Sequence, residues 1–217
     1  MDIGKTQFGF RQGLGTREAL FTFNVLVQRC LDVSQDVYVC FLDYNKAFDK
    51  VRHDQLLNVL KSKHLDHKDL RIIHNLYYNQ RARVCVDQQL TDEIKIKRGV
   101  RQGCVMSPTL FNAYSEDIVK RALEDETRGI QINGMRVNNI RYADDTVILA
   151  ECLEDLQIMM DKTARYSEEY GLTLNVKKTK FMKISKRPQH KETLMIQGKS
   201  IEQVQKYTYL GDRKSVV

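Results

Sequence analysis

The stretch Ile140-Arg141-Tyr142-Ala143-Asp144-Asp145-Thr146-Val147-Ile148-Leu149-Ala150 places two adjacent carboxylates within an apolar, β-branched run. The apolar residues on both sides predict two buried strands joined by a tight turn at the acidic pair. Burial of an ionised carboxylate is costly unless a cation or several hydrogen-bond donors compensate the charge. Because the run offers hard oxygen ligands and no His or Cys, it favours Mg²⁺ over zinc. An exposed Asp-Asp turn is the plainer alternative, because aspartate is common in turns.

A third carboxylate follows another apolar run. Residues 37–42 (VYVCFL) predict a short, buried central strand that ends at Asp43. If this strand lies beside the 140–150 hairpin, Asp43 faces Asp144 and Asp145. Two-metal phosphoryl transfer needs such a set of oxygens around ions about 3.5–4 Å apart. The alternative for Asp43 is that it caps the turn or helix that follows.

The composition limits the class of protein. The chain has 217 residues, of which 42% are hydrophobic, which suffices for one domain or two small lobes. A formal charge of +7 favours a polyanionic partner, although ordinary solubility charge also explains it. Five cysteines without a Cys-x-x-Cys pair indicate reduced thiols and an intracellular protein. No apolar run is long enough to span a bilayer, so no membrane partner is expected.

The remaining elements are helices and strands in an α+β order. The pattern predicts the following helices: one capped by Thr16, two over 53–63 and 67–79, one from a Ser107 cap and Pro108 to about Asp125, and one from Leu153 to Gly171. It predicts the following strands: 83–86 paired with 94–97, a hairpin at Asn133-Gly134, and 180–185 and 193–197 near the end. The pair Tyr77-Tyr78 fits either packing against the sheet or stacking of nucleic-acid bases.

Six segments, in order, resemble motifs of the reverse transcriptases of non-LTR (LINE-type) retrotransposons. They are residues 8–16 (FGFRQGLGT) leading into the fingers, 41–49 (FLDYNKAFD), 102–111 (QGCVMSPTLF), 142–145 (YADD) and 171–180 (GLTLNVKKTK) for the palm, and 209–211 (YLG) for the primer grip. A chance match of all six in family order is implausible. The resemblance covers the chain from about Gln7 to Gly211.

The resemblance implies an α+β fold, the palm of a right-hand polymerase, in which an antiparallel sheet packs on helices. Fingers elements are expected at about 1–35 and 52–105, and palm elements at 36–51 and 106–200. Residues 201–217 would hold the primer grip and a truncated C-terminus. A thumb is expected to be missing, so the chain is interpreted as a fragment that binds nucleic acid weakly and in a salt-sensitive way.

The resemblance also assigns catalytic roles. Asp43, Asp144 and Asp145 would hold two Mg²⁺ ions, for which Mn²⁺ could substitute, and the backbone carbonyl of Tyr44 would complete one coordination sphere. One ion would lower the pKa of the primer 3′-hydroxyl and the other would neutralise the triphosphate. Lys178 is the candidate that protonates pyrophosphate. A solvated basic turn is the alternative for Lys178.

Substrate-binding residues follow from the same motifs. Phe48 would exclude a ribose 2′-hydroxyl and so select dNTPs, with core packing as the alternative. The other candidates are, for the loop under the templating base, Gln102, Gly103, Ser107 and Pro108; for phosphate contacts, Arg11 and Arg17; and for the primer grip, Tyr209, Leu210 and Gly211. A planar guanidinium suits bidentate phosphate binding, but surface arginines without that role are equally compatible with the sequence.

The implied function is that of an RNA-directed DNA polymerase. It would transfer nucleotides from dNTPs to the 3′-hydroxyl of a DNA primer on an RNA template, in the nucleus or cytoplasm, with a nuclear site of action by family analogy. One alternative is a catalytically inactive relic that still binds nucleic acid. The other is the palm of an RNA-dependent RNA polymerase, which would normally carry Gly-Asp-Asp rather than Ala-Asp-Asp.

Overall fold

A computed structural model describes residues 3–78, 80–188 and 190–215 of the chain. The helices are α1 (Thr16–Asp32), α2 (Ala47–Lys50), α3 (His53–Ser62), α4 (His67–Tyr77), α5 (Ser107–Leu123) and α6 (Leu153–Glu169). The first nine strands are β1 (Val37–Leu42), β2 (Arg81–Ala82), β3 (Cys85–Val86), β4 (Gln89–Leu90), β5 (Ile94–Lys95), β6 (Ile130–Ile132), β7 (Met135–Val137), β8 (Asn139–Tyr142) and β9 (Asp145–Ala150). The remaining strands are β10 (Lys180–Ile184), β11 (Leu194–Ile196), β12 (Lys199–Gln203), β13 (Lys206–Tyr209) and β14 (Asp212–Ser215).

A six-stranded sheet forms the centre of the fold. Its strands lie in the order β11-β12-β10-β1-β9-β8, and all neighbours are antiparallel except β10 and β12. All six residues of β1 are buried, as expected for a continuous apolar run in a central strand. The predicted α+β class and antiparallel sheet are confirmed.

Helices cover both faces of this sheet. Because successive side chains of a strand point to opposite faces, Cys40 and Leu42 pack with α5 and α6, whereas Val39 and Phe41 pack with α1. A third apolar cluster joins α2, α3, α4 and the first half of α5. Tyr44, two residues after β1, packs against both the first and the third cluster, so the end of β1 lies where they meet.

Two predicted helix caps were wrong. Thr16 and Ser107 are the first helical residues of α1 and α5, and the residues before them occupy the cap positions. The Ser107 hydroxyl donates instead to the carbonyl of Arg101 at 2.6 Å. At α1, the backbone N–H of Gly15 donates to the Glu18 carboxylate at 2.7 Å. Each helix therefore begins one residue earlier than its predicted cap implied.

The predicted pairing of residues 83–86 with 94–97 was also wrong. Cys85–Val86 pair with Gln89–Leu90, and the outer pairing joins Arg81–Ala82 to Ile94–Lys95. Asp87 and Gln88 have φ of 48° and 65°, and two left-handed residues in succession form the favoured two-residue hairpin turn. The turn therefore fixes the register, which alternation of side chains alone specifies weakly in an exposed ribbon.

Within the part of the chain that the structure describes, no helix is long and apolar enough to cross a membrane. All five cysteines are free thiols.

Candidate active site

The register of β1 and β9 brings the three aspartates together. Leu42 lies opposite Thr146, so one step further along these antiparallel strands Asp43 comes opposite Asp145. Asp144 lies in the β8–β9 turn, beside Asp145. The strand of residues 37–42 therefore lies beside the 140–150 hairpin, as the sequence predicted, and the carboxylates share one edge of the sheet.

The three carboxylates form a concentrated negative charge. Burial, and then the neighbouring charges of Asp144 and Asp43, raise the pKa of Asp145 to about 6, although solvent reaches its side chain. Burial and the charge of Asp43 also raise the pKa of Asp144. Among the described side chains, no Lys or Arg forms a salt bridge with any of the three. The site therefore lacks a compensating cation from the protein.

The chemistry of this edge fits a divalent metal that is shared with a substrate. Carboxylate oxygens are the hard ligands that Mg²⁺ prefers. Over residues 3–78, 80–188 and 190–215, no group of three His, Cys, Asp or Glu side chains is arranged to hold a metal ion by itself. Mg²⁺ in phosphoryl-transfer enzymes commonly binds one or two carboxylates together with substrate phosphates, rather than a complete protein cage. The edge thus suits an ion that the substrate helps to bind.

The turn that carries Asp144 is fixed by a buried glutamine. Ala143 has a left-handed backbone, with φ of 59°, which is unfavourable for a residue with a Cβ. The Gln7 Oε1 atom accepts the N–H of Ala143 at 3.1 Å, and its Nε2 atom donates to the Ala143 carbonyl at 3.4 Å. The same Oε1 atom accepts the N–H of Gly9 at 2.9 Å. Gln7 is fully buried, so its amide holds both backbone polar groups of the strained residue.

The segment around Gln7 lies directly against the turn. Phe8 and Arg141 are joined by a backbone hydrogen bond of 2.8 Å, and so are Arg141 and Thr6. A Cβ on Gly9 would come within 2.4 Å of the backbone nitrogen of Ala143, so only glycine fits there. Sequence analysis did not identify Gln7. The glycine between Phe8 and Phe10 was the available signal, because it indicates close backbone approach.

The fourth motif supports Asp43 from the other side. The N–H of Asn175 donates to the Asp43 carbonyl at 2.8 Å, and the Asp43 N–H donates to the Thr179 hydroxyl at 3.3 Å. Tyr44 forms an isolated antiparallel bridge with Leu174. The hydrogen bonds of this bridge are donated by the N–H groups of Asn45 and Asn175, so they do not use the Tyr44 carbonyl. The segment thus fixes the backbone that presents Asp43.

Lys178 lies in this supporting loop. Its backbone N–H donates to Asn175, whereas its side chain is exposed and, among the described residues, makes no hydrogen bond or salt bridge. The structure therefore places Lys178 near the end of β1 without contact to the carboxylates.

An aromatic cluster borders the carboxylate edge. Phe48 is half-buried and stacks on Phe111 with ring centroids 4.2 Å apart. Phe10 packs edge-on against Phe48 at 6.4 Å and also contacts Tyr142 at 6.3 Å. Phe48 therefore combines core packing on one side with an open side near the site. Phe10, which sequence analysis did not select, is 51% exposed and belongs to the same cluster.

The loop before α5 has exposed residues at its start and a buried residue at its end. Gln102 and Gly103 are exposed, and Gly103 has φ of 77° with open space around it. Ser107 is buried and Pro108 lies in the first turn of α5. The loop thus exposes Gln102 and Gly103 to solvent, and its end is held by the first turn of α5.

The two candidate phosphate-binding arginines differ in their surroundings. The Nη1 atom of Arg11 donates to the carbonyls of Gly4 and Gln7, at 3.0 Å each, so its guanidinium stabilises the segment that holds the turn. Arg17 is exposed in the first turn of α1.

The predicted primer grip contains a buried tyrosine, and a second tyrosine just before it lies near the carboxylates. Tyr209 is buried against Phe23 and Phe41, and Leu210 and Gly211 form the β13–β14 turn. Tyr207 is half-buried and stacks on Phe41 at 4.2 Å. Burial raises the pKa of Tyr207, and the charges of Asp145 and Asp43 raise it further. Tyr207 was missed by sequence analysis, although strand alternation puts it on the same face as Tyr209.

Comparisons with known proteins identify the class. The model of the family described as "Reverse transcriptase (RNA-dependent DNA polymerase)" matches residues 1–213. The chain therefore belongs to the reverse transcriptase family, whose members generally depend on divalent metal.

Among its relatives are polymerases of non-LTR retrotransposons. The chain is 30% identical over 164 residues to the Pol polyprotein of the type-1 retrotransposable element R2 of Nasonia vitripennis, covering 76% of this chain and 16% of that protein. It is 29% identical over 222 residues to the RNA-directed DNA polymerase of the mobile element jockey of Drosophila melanogaster, covering 98% of this chain and 24% of that protein. The resemblance read from the motifs is confirmed, and the chain spans less than a third of either relative.

The fold also matches solved structures. Apo telomerase from Candida tropicalis, truncated from its C-terminal domain, superposes with a TM-score of 0.67 at 16% identity, covering 97% of this chain and 41% of that chain. This likeness confirms the right-hand polymerase fold. The division of the chain into fingers and palm segments stays a prediction.

Proposed function

We propose that this chain is an RNA-directed DNA polymerase domain that transfers nucleotides from dNTPs to the 3′-hydroxyl of a DNA primer on an RNA template. The observation that carries the proposal is the β1–β9 register, which brings Asp43 opposite Asp145 and beside Asp144. Three carboxylates without a compensating protein cation suit a site for metal-bound triphosphate. Family membership supports this choice of chemistry.

Asp43, Asp144 and Asp145 would hold two Mg²⁺ ions, with the carbonyl of Tyr44 as a further ligand, and Mn²⁺ could replace Mg²⁺. When bound, such ions lower the pKa of the primer hydroxyl and neutralise charge on the triphosphate and pyrophosphate. The protein contributes rigidity, because Gln7 fixes the turn beside Asp144 and the fourth motif fixes the backbone of Asp43. Preorganised ligands avoid reorganisation during the reaction.

Other residues of the site would select and orient substrates. Phe48, held by Phe111, would exclude a 2′-hydroxyl from the incoming sugar. The exposed Gln102 and Gly103 would contact the templating nucleotide. The ammonium of Lys178 would donate a proton to the leaving pyrophosphate, because its side chain is not engaged by another described residue. The predicted primer grip, Tyr209, Leu210 and Gly211, would position the primer end, together with Tyr207 on the same strand.

Primer extension tests the proposal directly. The assay uses poly(rA)/oligo(dT), dTTP and Mg²⁺ at low salt, and compares the wild-type chain with the Asp144→Asn, Asp145→Asn double variant. A matched control removes two exposed carboxylates elsewhere, Asp125→Asn and Asp161→Asn. We expect incorporation by the wild type and the control, and none by the double variant.

A binding measurement keeps the proposal testable if synthesis is slow. A ligand that binds the folded state raises its thermal stability. We expect Mg²⁺ and dTTP together to raise the melting temperature of the wild type and the control, but not that of the Asp144→Asn, Asp145→Asn variant. Equal incorporation by all three proteins, or equal stabilisation of all three, would refute the proposal.

A further inference from the structure

A second feature that suits nucleic acid is a groove away from the carboxylate edge. It lies between α3, the end of α4 and the chain from β5 onward, and encloses about 730 Å³. We call it the basic groove and define it by Arg52, Lys61, Tyr78, Lys95, Lys97 and Arg98. We propose that the basic groove binds a single-stranded segment of RNA, in addition to any strand at the catalytic aspartates.

The groove is strongly positive. Lys61, Lys95, Lys97 and Arg98 are exposed and, in the described part of the chain, form no salt bridge. Asp54 is the acidic residue that lines the groove, and its carboxylate is paired with Arg52 at 2.7 Å. Four cations are thus left for a polyanion, in a chain whose formal net charge is +7. Clustered cations of this kind attract phosphates and release counterions on binding.

The groove also offers an aromatic surface for bases. Tyr78 is 58% exposed, whereas its neighbour Tyr77 is buried. The Tyr78 ring stacks on His74 with centroids 4.5 Å apart, and the Lys95 ammonium lies 5.4 Å from its centroid. The His74 ring supports one face of the Tyr78 ring, and more than half of the residue is exposed to solvent. A fixed aromatic ring beside cations is the usual platform for single-stranded nucleic acid.

These two properties decide the class of partner. A duplex keeps its bases stacked inside, so an exposed tyrosine favours a strand with free bases. An acidic peptide would satisfy the cations but has no bases to stack on Tyr78. The choice of RNA over DNA rests on the proposed function, in which the template is RNA. The defining residues of the groove include neither the three aspartates nor the loop of residues 102–108, so this is an additional site.

The test is fluorescence anisotropy with a short labelled oligo(rU), without Mg²⁺ or dNTP. We expect Tyr78→Ala to weaken binding about fivefold or more, and Tyr78→Phe to preserve it, because stacking needs only the ring. We expect the Lys95→Ala, Lys97→Ala variant to weaken binding and to reduce the slope of log affinity against log salt by about 1.4, at roughly 0.7 per phosphate. The matched control, Lys186→Ala with Lys199→Ala, removes the same charge outside the groove and should leave affinity within about twofold of wild type.

The result that overturns the inference is equal oligo(rU) affinity of wild type and Tyr78→Ala, or equal weakening by the two lysine pairs. Displacement of oligo(rU) by polyglutamate as readily as by unlabelled oligo(rU) would assign the groove to acidic peptides. Affinity for oligo(dT) that equals affinity for oligo(rU) would overturn the choice of RNA. This assay contains no metal or dNTP, so its result is independent of the catalytic test. Intact oligo(rU) binding, combined with equal stabilisation of wild type, control and the Asp144→Asn, Asp145→Asn variant by Mg²⁺ and dTTP, would refute the proposed function alone.

Discussion

The side-chain amide of Gln7 forms hydrogen bonds with both the N–H and the carbonyl of Ala143, the left-handed residue beside Asp144. The two residues are separated by 136 positions in the chain. Residues in sparsely populated backbone conformations persist when their surroundings over-determine them, and they concentrate at functional sites. The geometry of the Asp144-Asp145 pair therefore depends on a segment that is distant in sequence, close to residue 7.

Replacement of Gln7 by methionine should damage both stability and activity. The variant keeps the side-chain volume but leaves the buried N–H and carbonyl of Ala143 without partners, at a cost of about 1–3 kcal/mol. We expect a corresponding loss in urea unfolding, and a fall in primer extension under conditions where the variant is folded. Gln12→Met, an exposed change in the same segment, is the control. If both variants behaved alike, Gln7 would have no special role in holding the turn.

Removal of one carboxylate should have opposite effects on stability and catalysis. Asp145 has its pKa raised to about 6 by burial and by the charges of Asp144 and Asp43. Asp145→Asn relieves that repulsion, so we expect the metal-free variant to be more stable than wild type by about 1 kcal/mol or less, after allowance for solvent screening. The same variant should lose primer extension and the stabilisation by Mg²⁺ with dTTP.

Thermal unfolding in EDTA measures the first effect. Asp125→Asn removes an exposed carboxylate outside the cluster and should leave both stability and catalysis unchanged. A destabilised metal-free Asp145→Asn variant would contradict the electrostatic account of this edge.

Local patterns were sufficient to predict the elements that carry the aspartates. A continuous apolar run before Asp43 predicts a buried strand that ends there. The apolar residues on both sides of the Asp144-Asp145 pair predict two strands joined at the pair. Their adjacency then brings the carboxylates together. The hydrogen bonds that hold the turn beside Asp144 could not be predicted, because the contact between Gln7 and Ala143 depends on the packing of distant segments. The register of the 81–95 ribbon was missed because its exposed strands have no buried face to specify it.

Stability toward acid should depend on Glu126. Its carboxylate is buried and forms salt bridges with Lys162, at 2.6 Å, and with Arg128. Burial alone would raise the pKa of Glu126, but the hydrogen bonds from Lys162 and Arg128 hold it below its ordinary value. A lowered pKa gives stability that is present above the ordinary pKa of glutamate and is lost as pH falls through the folded-state value.

Glu126→Gln should therefore lower the free energy of unfolding by about 1–3 kcal/mol at neutral pH. The difference in stability from wild type should become smaller as the pH falls. Urea unfolding at neutral pH and at a pH of about 3.5 measures the difference in stability at each pH. Glu124→Gln is the control, since Glu124 is exposed and lies 3.4 Å from Lys120 in a surface pair. A gap between Glu126→Gln and wild type that stays constant with pH would show that packing, rather than charge, underlies the effect.

Sugar selection should depend on Phe48. Its ring is held on one side by Phe111 and bordered by Phe10, so its position is fixed by packing. Phe48→Ala removes the bulk proposed to exclude the 2′-hydroxyl, and we expect the ratio of kcat/KM for dTTP over UTP to fall about tenfold or more. The loss of the stack should also destabilise the fold by about 1–3 kcal/mol, less than for a fully buried phenylalanine. Phe21→Ala, on the exposed side of α1, should change neither quantity. An unchanged ratio in a folded Phe48→Ala variant would leave Phe48 with a packing role alone.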